Sequence, residues 1–145
     1  MDARHGYYLE EIKIGMSDGV TKTVTHDDIV GFADITGDTN PVHLCDEFAA
    51  GTMFRERIAH GMLSASLISA VLGTRLPGPG CIYLSQSLRF RAPVMIGDEV
   101  AASATVIEID AERRRITLET VCKVGDTVVV DGEAKLMVSR RKAAA

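Results

Sequence analysis

An aspartate and a histidine in the first third of the chain are close enough in sequence to act together on one water molecule. Asp38 and His43 flank an Asn40-Pro41 pair, and proline fixes its own φ and forces the residue before it into an extended conformation. The segment therefore turns in a defined way and carries a carboxylate and an imidazole, the groups used in general acid–base chemistry. The same residues also fit an ordinary Asx-type loop with a structural histidine, and the spacing alone leaves both interpretations open.

A glycine at the beginning of a predicted helix is the second feature that could do chemistry. Gly61 lies in the run Ala59-His60-Gly61-Met62. Glycine in a helix costs roughly 1 kcal/mol relative to alanine, so this position calls for a reason. An unhindered backbone N–H at the positive end of a helix can donate a hydrogen bond to an oxyanion. The alternative is that Gly61 only allows close packing against a neighbouring strand.

The first part of the chain is predicted to form two strands and a helix ahead of these residues. The strands cover residues 8–14 and 20–24. The helix begins after Thr25, which can form a capping box with Asp28, and it ends at Gly37, a typical C-terminal cap.

A second helix is predicted over residues 60–72, after an irregular stretch that covers residues 38–58. Its apolar residues occupy nearly its whole circumference, and we therefore expect it to be buried. Its polar side chains are only serines: Ser64, Ser66 and Ser69.

The second half of the chain is strand-like throughout. Turn signals divide it into four β-rich runs over residues 81–90, 99–109, 115–124 and 127–138. Gly125-Asp126 is a two-residue hairpin signal between the last two runs. One apolar helix wrapped by a long, curved antiparallel sheet is an α+β arrangement.

The composition indicates one globular domain over residues 1–145. Hydrophobic residues make up 46% and charged residues 25%, which argues against a disordered chain. The net charge of -4 argues against nucleic acid as a partner, and no apolar run is long enough for a membrane span. The three cysteines (Cys45, Cys81 and Cys122) are widely spaced, which predicts reduced thiols and a cytoplasmic location.

Several motifs together resemble the MaoC-like dehydratase family, and the chain is most similar to its (R)-specific enoyl-CoA hydratases. The similarity covers essentially the whole chain. The motifs that carry it are Gly37-Asp38-x-Asn40-Pro41-x-His43, Phe48-Ala49, Ala59-His60-Gly61-Met62, Leu76-Pro77-Gly78, Ile82-Tyr83-Leu84-x-Gln86-Ser87-Leu88-x-Phe90 and Pro93-x-x-x-Gly97-Asp98-Glu99-Val100.

The resemblance implies a hot-dog fold, a homodimer with active sites near the subunit interface, and trans-2-enoyl thioesters of coenzyme A as substrates. It also implies that Asp38 and His43 are the catalytic pair, that the Gly61 N–H is the oxyanion donor, and that Ser69 supports them. The implied reaction is hydration to an (R)-3-hydroxyacyl-CoA, or the reverse dehydration. No cofactor or metal is implied, because coenzyme A is part of the substrate. One departure is Cys45-Asp46, where relatives usually show Asp-Pro.

Other functional interpretations of these residues have less support. Cys45 could be a nucleophile with His43 as its base, but residues two apart need not face each other. Asp38, His43 and His60 could hold a metal by residue type, yet their spacing matches no ligand motif. Partners for the coenzyme A phosphates could be among the arginines, without a basis for choosing between them: Arg55, Arg57, Arg75, Arg89 and Arg91.

Two other function classes remain as alternatives. A hot-dog thioesterase would use a carboxylate on the central helix, and residues 61–73 contain no Asp or Glu. A non-catalytic acyl-binding subunit would not need Asp38 and His43 together, so their joint presence favours an enzyme.

Overall fold

A curved sheet of six antiparallel strands wraps one long helix in the computed structural model, which describes residues 3–141. The prediction of one domain over 1–145 also includes residues 1–2 and 142–145, which lie outside the described residues. The strands are β1 (Ser17–Thr23), β2 (Ile82–Gln86), β3 (Arg89–Phe90), β4 (Glu99–Asp110), β5 (Arg115–Val124) and β6 (Thr127–Met137). The helices are α1 (His26–Thr36), α2 (Pro41–Leu44), α3 (Asp46–Ala50) and α4 (Gly61–Thr74).

The sheet order β1-β4-β5-β6-β2 confirms the α+β prediction and the hot-dog arrangement. β5 and β6 form a hairpin in which Val124 pairs with Thr127, so Gly125 and Asp126 are its two-residue turn, as predicted. Gly125 has a φ of +59°, a conformation that favours glycine. β2 and β3 both pair with β6 and form one edge of the sheet, and β1 forms the opposite edge.

The central helix α4 has a buried face and an exposed face, so the expectation of a fully buried helix is wrong for this chain. It packs against β1, β4, β5 and β6. Its buried side chains are Ser64, Ala65, Ile68, Val71 and Leu72. Met62, Ser66, Ser69 and Ala70 are exposed, because the sheet curves around only one side of the helix.

The helix α1 forms where the capping signals place it. Thr25 accepts a hydrogen bond from the Asp28 N–H, and the Asp28 side chain accepts one from the Thr25 N–H. The hydrogen bond from the Thr25 N–H, together with the nearby Lys22 ammonium, lowers the pKa of the Asp28 carboxyl. Gly37 ends the helix with a φ of +78°, and Asp38 follows immediately. The capping signals therefore fix where the candidate acid–base loop begins.

The prediction of a strand over residues 8–14 is wrong. That segment holds a single 3₁₀ turn, Leu9–Glu11, and the first strand begins instead at Ser17. Leu9 and Ile12 are buried at 6% and 5% exposure. A spacing of three residues puts both on one side of a helical turn, which buries them in a way that an extended strand cannot. No helix within residues 3–141 is long and apolar enough to cross a membrane.

Candidate active site

A cavity of about 460 Å³ lies where the loop after α1, the first turn of α4 and the end of β3 meet. Its walls are mostly apolar, and a few polar groups converge in it, which is typical of a small-molecule site. Its lining residues are Asp38, His43, Phe54, Ile58, Ala59, His60, Gly61, Met62, Ser64, Phe90, Arg91, Ala92, Pro93, Val94, Val129 and Val130. The structure thus brings Asp38, His43 and Gly61 together, as the sequence predicts.

The loop that carries Asp38 and His43 is shaped by short-range hydrogen bonds. One carboxylate oxygen of Asp38 accepts from the Asn40 N–H at 3.2 Å, and the Asn40 side chain accepts from the Val42 N–H at 3.1 Å. Asn40 thereby caps α2, and Pro41 is its first residue. The stretch predicted to be irregular therefore contains two short helices, α2 and α3, each only about one turn long. Helices this short show no periodicity in the sequence.

The imidazole of His43 is held in one orientation by its Nδ1 atom. That atom lies 2.8 Å from the carbonyl oxygen of Ile58. A carbonyl oxygen can only accept a hydrogen bond, so Nδ1 carries the proton. In the neutral ring the Nε2 atom then has a free lone pair, and His43 is equipped to accept a proton or a hydrogen bond there.

A second buried histidine adjoins this pair. His60 precedes α4, and its Nε2 atom lies 2.9 Å from the carbonyl oxygen of Asp38. Its ring stacks on His43 with a centroid separation of 3.9 Å. The sequence suggests His60 only as a metal ligand and does not predict this contact with Asp38. The signal available was a histidine at a helix N-cap, where Ser, Thr, Asp or Asn is usual.

The pair is spaced to hold one water molecule. A carboxylate oxygen of Asp38 and one ring nitrogen each of His43 and His60 lie within 4.8 Å of one another. A water that donates both protons at normal hydrogen-bond lengths spans acceptors about 4.4 Å apart. Asp38 is exposed to solvent, whereas His43 is only 8% exposed. Water can therefore reach a carboxylate whose neighbouring imidazole is held in place.

The position of Gly61 is compatible with the oxyanion hypothesis and with the packing hypothesis. It is the first residue of α4, where a helix leaves its backbone N–H without an internal partner, and it lines the cavity. A Cβ atom added there would lie 2.7 Å from two ring atoms of Phe90. The absence of a side chain therefore both exposes the N–H to the cavity and makes room for the Phe90 ring.

The structure does not place Ser69 at this site, which corrects the supporting role expected for it. Ser69 lies on the exposed face of α4 and does not line the cavity. Consecutive helical residues are rotated by about 100°, so Ile68 faces the core and Ser69 turns away from it. The serine that lines the cavity is Ser64, which is 1% exposed.

The cysteines take no part in the cavity. The Cys45 sulfur accepts a hydrogen bond from the Phe48 N–H at 3.5 Å and so caps α3. This explains how the loop keeps its geometry although Cys45 replaces the aspartate usual in relatives. Cys122 is buried behind α4, where burial raises its thiol pKa to about 11. Neither thiol is placed to act as a nucleophile on a molecule in the cavity.

The candidate arginines separate into different roles. Arg57 is 8% exposed and donates hydrogen bonds to the Leu44 carbonyl and to His26 Nδ1, the latter at 2.7 Å. It is therefore a structural link between α1 and the loop, rather than a surface cation. Arg91 lines the cavity and pairs with Asp131 at 2.8 Å.

The three other arginines do not line the cavity. Arg55 and Arg89 are exposed and neighbour the lining residues Phe54 and Phe90 in sequence. Arg75 lies at the opposite end of α4 from Gly61. Proximity in sequence therefore makes Arg55 and Arg89 the candidates for contact with an anionic group of a ligand.

Asp38, His43 and His60 are also close enough to be considered as metal ligands. One nitrogen of each ring already bonds a carbonyl oxygen. The two rings stack with their planes 29° apart, whereas an ion bound to both would have to lie near both ring planes. The arrangement fits a held water better than a shared ion.

Comparison with known proteins gives consistent results. A family model described as MaoC like domain matches residues 11–131. The 3-hydroxybutyryl-CoA dehydratase of Methylorubrum extorquens is 54% identical over 94% of this chain and 87% of its own length. The (R)-specific enoyl-CoA hydratase of Rhodospirillum rubrum is 53% identical over 93% of this chain and 94% of its own length.

A solved structure shares the fold. The (R)-hydratase of Aeromonas caviae involved in PHA biosynthesis superposes with a TM-score of 0.87. It is 40% identical in sequence, over 89% of this chain and 98% of that one.

Proposed function

This chain belongs to the MaoC-like domain family, and from that premise we propose that it catalyses the reversible (R)-specific hydration of trans-2-enoyl-CoA to (R)-3-hydroxyacyl-CoA. The observation that carries the proposal is the meeting of Asp38, His43 and the Gly61 N–H in one largely apolar cavity. Relatives named as enoyl-CoA hydratases and 3-hydroxybutyryl-CoA dehydratases support the same substrate class. An A. caviae relative involved in PHA biosynthesis supports a role in supplying hydroxyacyl units.

The two side chains hold one water molecule in a defined direction. The Asp38 carboxylate and the Nε2 lone pair of His43 are both acceptors, so each takes one proton of the water in a hydrogen bond. The lone pairs of the water then point away from both residues and towards the double bond of the substrate. The oxygen approaches from one face only, which accounts for a single configuration at Cβ.

The addition then proceeds with protons and electrons balanced. Asp38 takes a proton from the water, and the oxygen bonds to Cβ while the electrons of the double bond move towards the thioester. The Gly61 N–H stabilises the negative charge that develops on the thioester oxygen. The proton then returns to Cα from the same face, and (R)-3-hydroxyacyl-CoA is formed. Dehydration is the same sequence in reverse.

The mechanism uses side chains, one backbone N–H and one water, so we propose that it needs no cofactor. Coenzyme A enters only as part of the substrate, with Arg55 and Arg89 as the proposed partners of its phosphates. A chelator is therefore expected to leave the rate unchanged.

A thioesterase is the weaker assignment. Hot-dog thioesterases are expected to use a carboxylate on the central helix, and α4 contains no Asp or Glu. Asp38 is the only carboxylate among the described residues that line the cavity. It is paired with an imidazole, which suits the addition of water to a double bond.

We also propose that the protein is a homodimer. The open edge at β2 exposes Ile82, Tyr83 and Leu84 by 56%, 41% and 41%, and an exposed apolar edge strand favours pairing with another strand. The exposed face of α4 is rich in small and apolar residues, which suits contact with a second copy. The cytoplasmic location predicted from the unpaired cysteines stays a prediction.

The variants Asp38→Asn and His43→Ala test the acid–base pair. The rate of crotonyl-CoA hydration is measured from the loss of enoyl absorbance. Asparagine keeps the size of the side chain but cannot take a proton, and alanine removes the second acceptor. Loss of a general base typically costs on the order of 10²–10⁴-fold in rate, or about 3–5 kcal/mol of barrier. Binding of a saturated acyl-CoA is expected to stay nearly unchanged in both variants.

Two further outcomes bear on the assignment. The double variant is expected to be little slower than the slower single variant, because both residues act on one water. Chiral analysis is expected to find only the (R)-3-hydroxyacyl product. If Asp38→Asn keeps the parent rate within a few-fold, the mechanism is wrong, and release of free coenzyme A thiol in place of hydration would indicate a thioesterase.

The two roles of Gly61 are separated by Gly61→Ala in the parent and in a Phe90→Ala background. Alanine keeps the N–H but places a methyl group in the cavity, and we expect kcat/KM to fall on the order of 10²-fold. The melting temperature is expected to change little, because Phe90 is 56% exposed and its ring has room to move. In the Phe90→Ala background the ring clash is gone, so a persisting loss on Gly61→Ala identifies the oxyanion role. A Gly61→Ala substitution that is harmless there would identify a packing role only.

The dimer is tested by light scattering at micromolar concentration, where a mass of two chains is expected. Leu84→Lys on β2 is expected to shift the mass towards one chain, because a charge opposes pairing at that edge. Thr21→Lys on β1, at the opposite edge of the sheet, is the matched control and is expected to remain dimeric. A parent protein that scatters as a monomer contradicts the proposal.

A further inference from the structure

We infer that His60 is a positioning residue that holds both members of the acid–base pair in their reactive arrangement. The inference rests on the proposed function, and it assigns to His60 no contact with the substrate. It rests on the hydrogen bond of one ring nitrogen, on the stacking of the ring, and on the burial of the other nitrogen.

The first observation is where His60 directs its N–H. His60 is the N-cap residue of α4, yet its side chain makes no capping hydrogen bond to that helix. Its Nε2 atom instead donates to the carbonyl oxygen of Asp38 at 2.9 Å, 22 residues away in sequence. The backbone of an exposed loop residue is thus fixed by a side chain that is itself 2% exposed. The carboxylate of Asp38 is thereby kept beside the cavity.

The second observation is the stacking of aromatic rings. His60 lies against His43 with a centroid separation of 3.9 Å and an interplanar angle of 29°, and against Phe32 with a separation of 4.9 Å. The His43 ring is therefore anchored at Nδ1 by Ile58 and covered on one face by His60. Rotation of the His43 ring away from the water position would break both contacts.

The third observation limits His60 to a positioning role. Its Nδ1 atom is buried and has no hydrogen-bond partner in the described part of the chain. Its other nitrogen, Nε2, is already engaged by the Asp38 carbonyl oxygen. Both nitrogens are thus turned towards the protein interior or a main-chain oxygen, so we assign His60 a role in positioning and none in proton transfer.

Two variants separate the hydrogen bond from the stacking. His60→Phe keeps an aromatic ring of similar size but cannot donate to the Asp38 carbonyl. His60→Gln loses the ring but places an amide N–H near the position of Nε2. We expect His60→Phe to lower kcat for crotonyl-CoA by roughly 10- to 100-fold with KM changed less than threefold, and His60→Gln to recover part of that loss. KM is expected to change little because the His60 side chain is 2% exposed and is assigned no contact with the substrate.

A double-variant comparison shows whether His60 acts through the pair. In an Asp38→Asn background the positioned carboxylate is already absent, so adding His60→Phe is expected to cost less than threefold more. Ile68→Val is the matched control. It removes a methylene from a fully buried α4 residue that does not line the cavity, and it is expected to lower the melting temperature without changing kcat.

The outcomes are decisive in either direction. The inference is overturned if the folded His60→Phe protein keeps kcat within threefold of the parent. It is also overturned if His60→Phe lowers kcat by the same factor in the Asp38→Asn background as in the parent. It is also overturned if neither variant folds, since His60 would then be a structural residue. A parent protein without hydratase activity contradicts the proposed function itself. The assay of the parent protein separates this outcome from the three results above, which all concern the His60 variants.

Discussion

The hydrogen bond from His43 Nδ1 to the Ile58 carbonyl decides what the imidazole can do. It places the proton on the side of the ring that faces the protein, and it leaves the lone pair of Nε2 as the free group. A ring with the opposite tautomer would donate to the water oxygen and occupy a lone pair that the attack on Cβ needs. In the proposed mechanism, the orientation of the water, and with it the configuration of the product, therefore depends on one main-chain carbonyl in the segment that leads into α4.

The same short segment connects the site to the chain between β3 and β4. The Ile58 N–H donates to the Val42 carbonyl, the Ala59 N–H donates to the Val94 carbonyl at 2.7 Å, and His60 reaches Asp38. Residues 58–60 thus hold the acid–base loop, and they also lead directly into the first N–H of the central helix α4. In the proposed mechanism, the water and the oxyanion donor are fixed relative to each other because the residues that hold them are all attached to this segment. This arrangement gives an exposed loop the rigidity that catalysis needs.

Much of the fold could be predicted from local signals because those signals have local causes. The Thr25 and Asp28 capping box, the φ-permissive Gly37 and the two-residue turn after Val124 each act within a few residues. The wrong predictions concern residues whose structure depends on contacts with parts of the chain that are distant in sequence. Residues 11–14 alternate between polar and apolar side chains like a strand, but burial of Leu9 and Ile12 together favours one helical turn.

The sequence predicts the candidate reacting groups of the site, but it does not predict the residue that holds them in place. Asp38, His43 and Gly61 have residue types and spacing that carry chemistry, and the structure places all three in the cavity. His60 acts across 22 residues of sequence, and that contact depends on how the loop folds back onto α4. Ser69 was expected at the site from the family resemblance alone, and an apolar helix shows no periodicity in the sequence that could have placed Ser69 on its exposed face.

The most direct test of the account is the stereochemistry of hydration in D₂O. Crotonyl-CoA is converted in D₂O, and NMR of the product establishes the relative configuration at Cα and Cβ. One water held by Asp38 and His43 delivers oxygen and deuterium to the same face, so the account predicts syn addition and the (R) configuration at Cβ. Anti addition, or deuterium distributed over both positions at Cα during a single turnover, would contradict the claim that one held water supplies both groups.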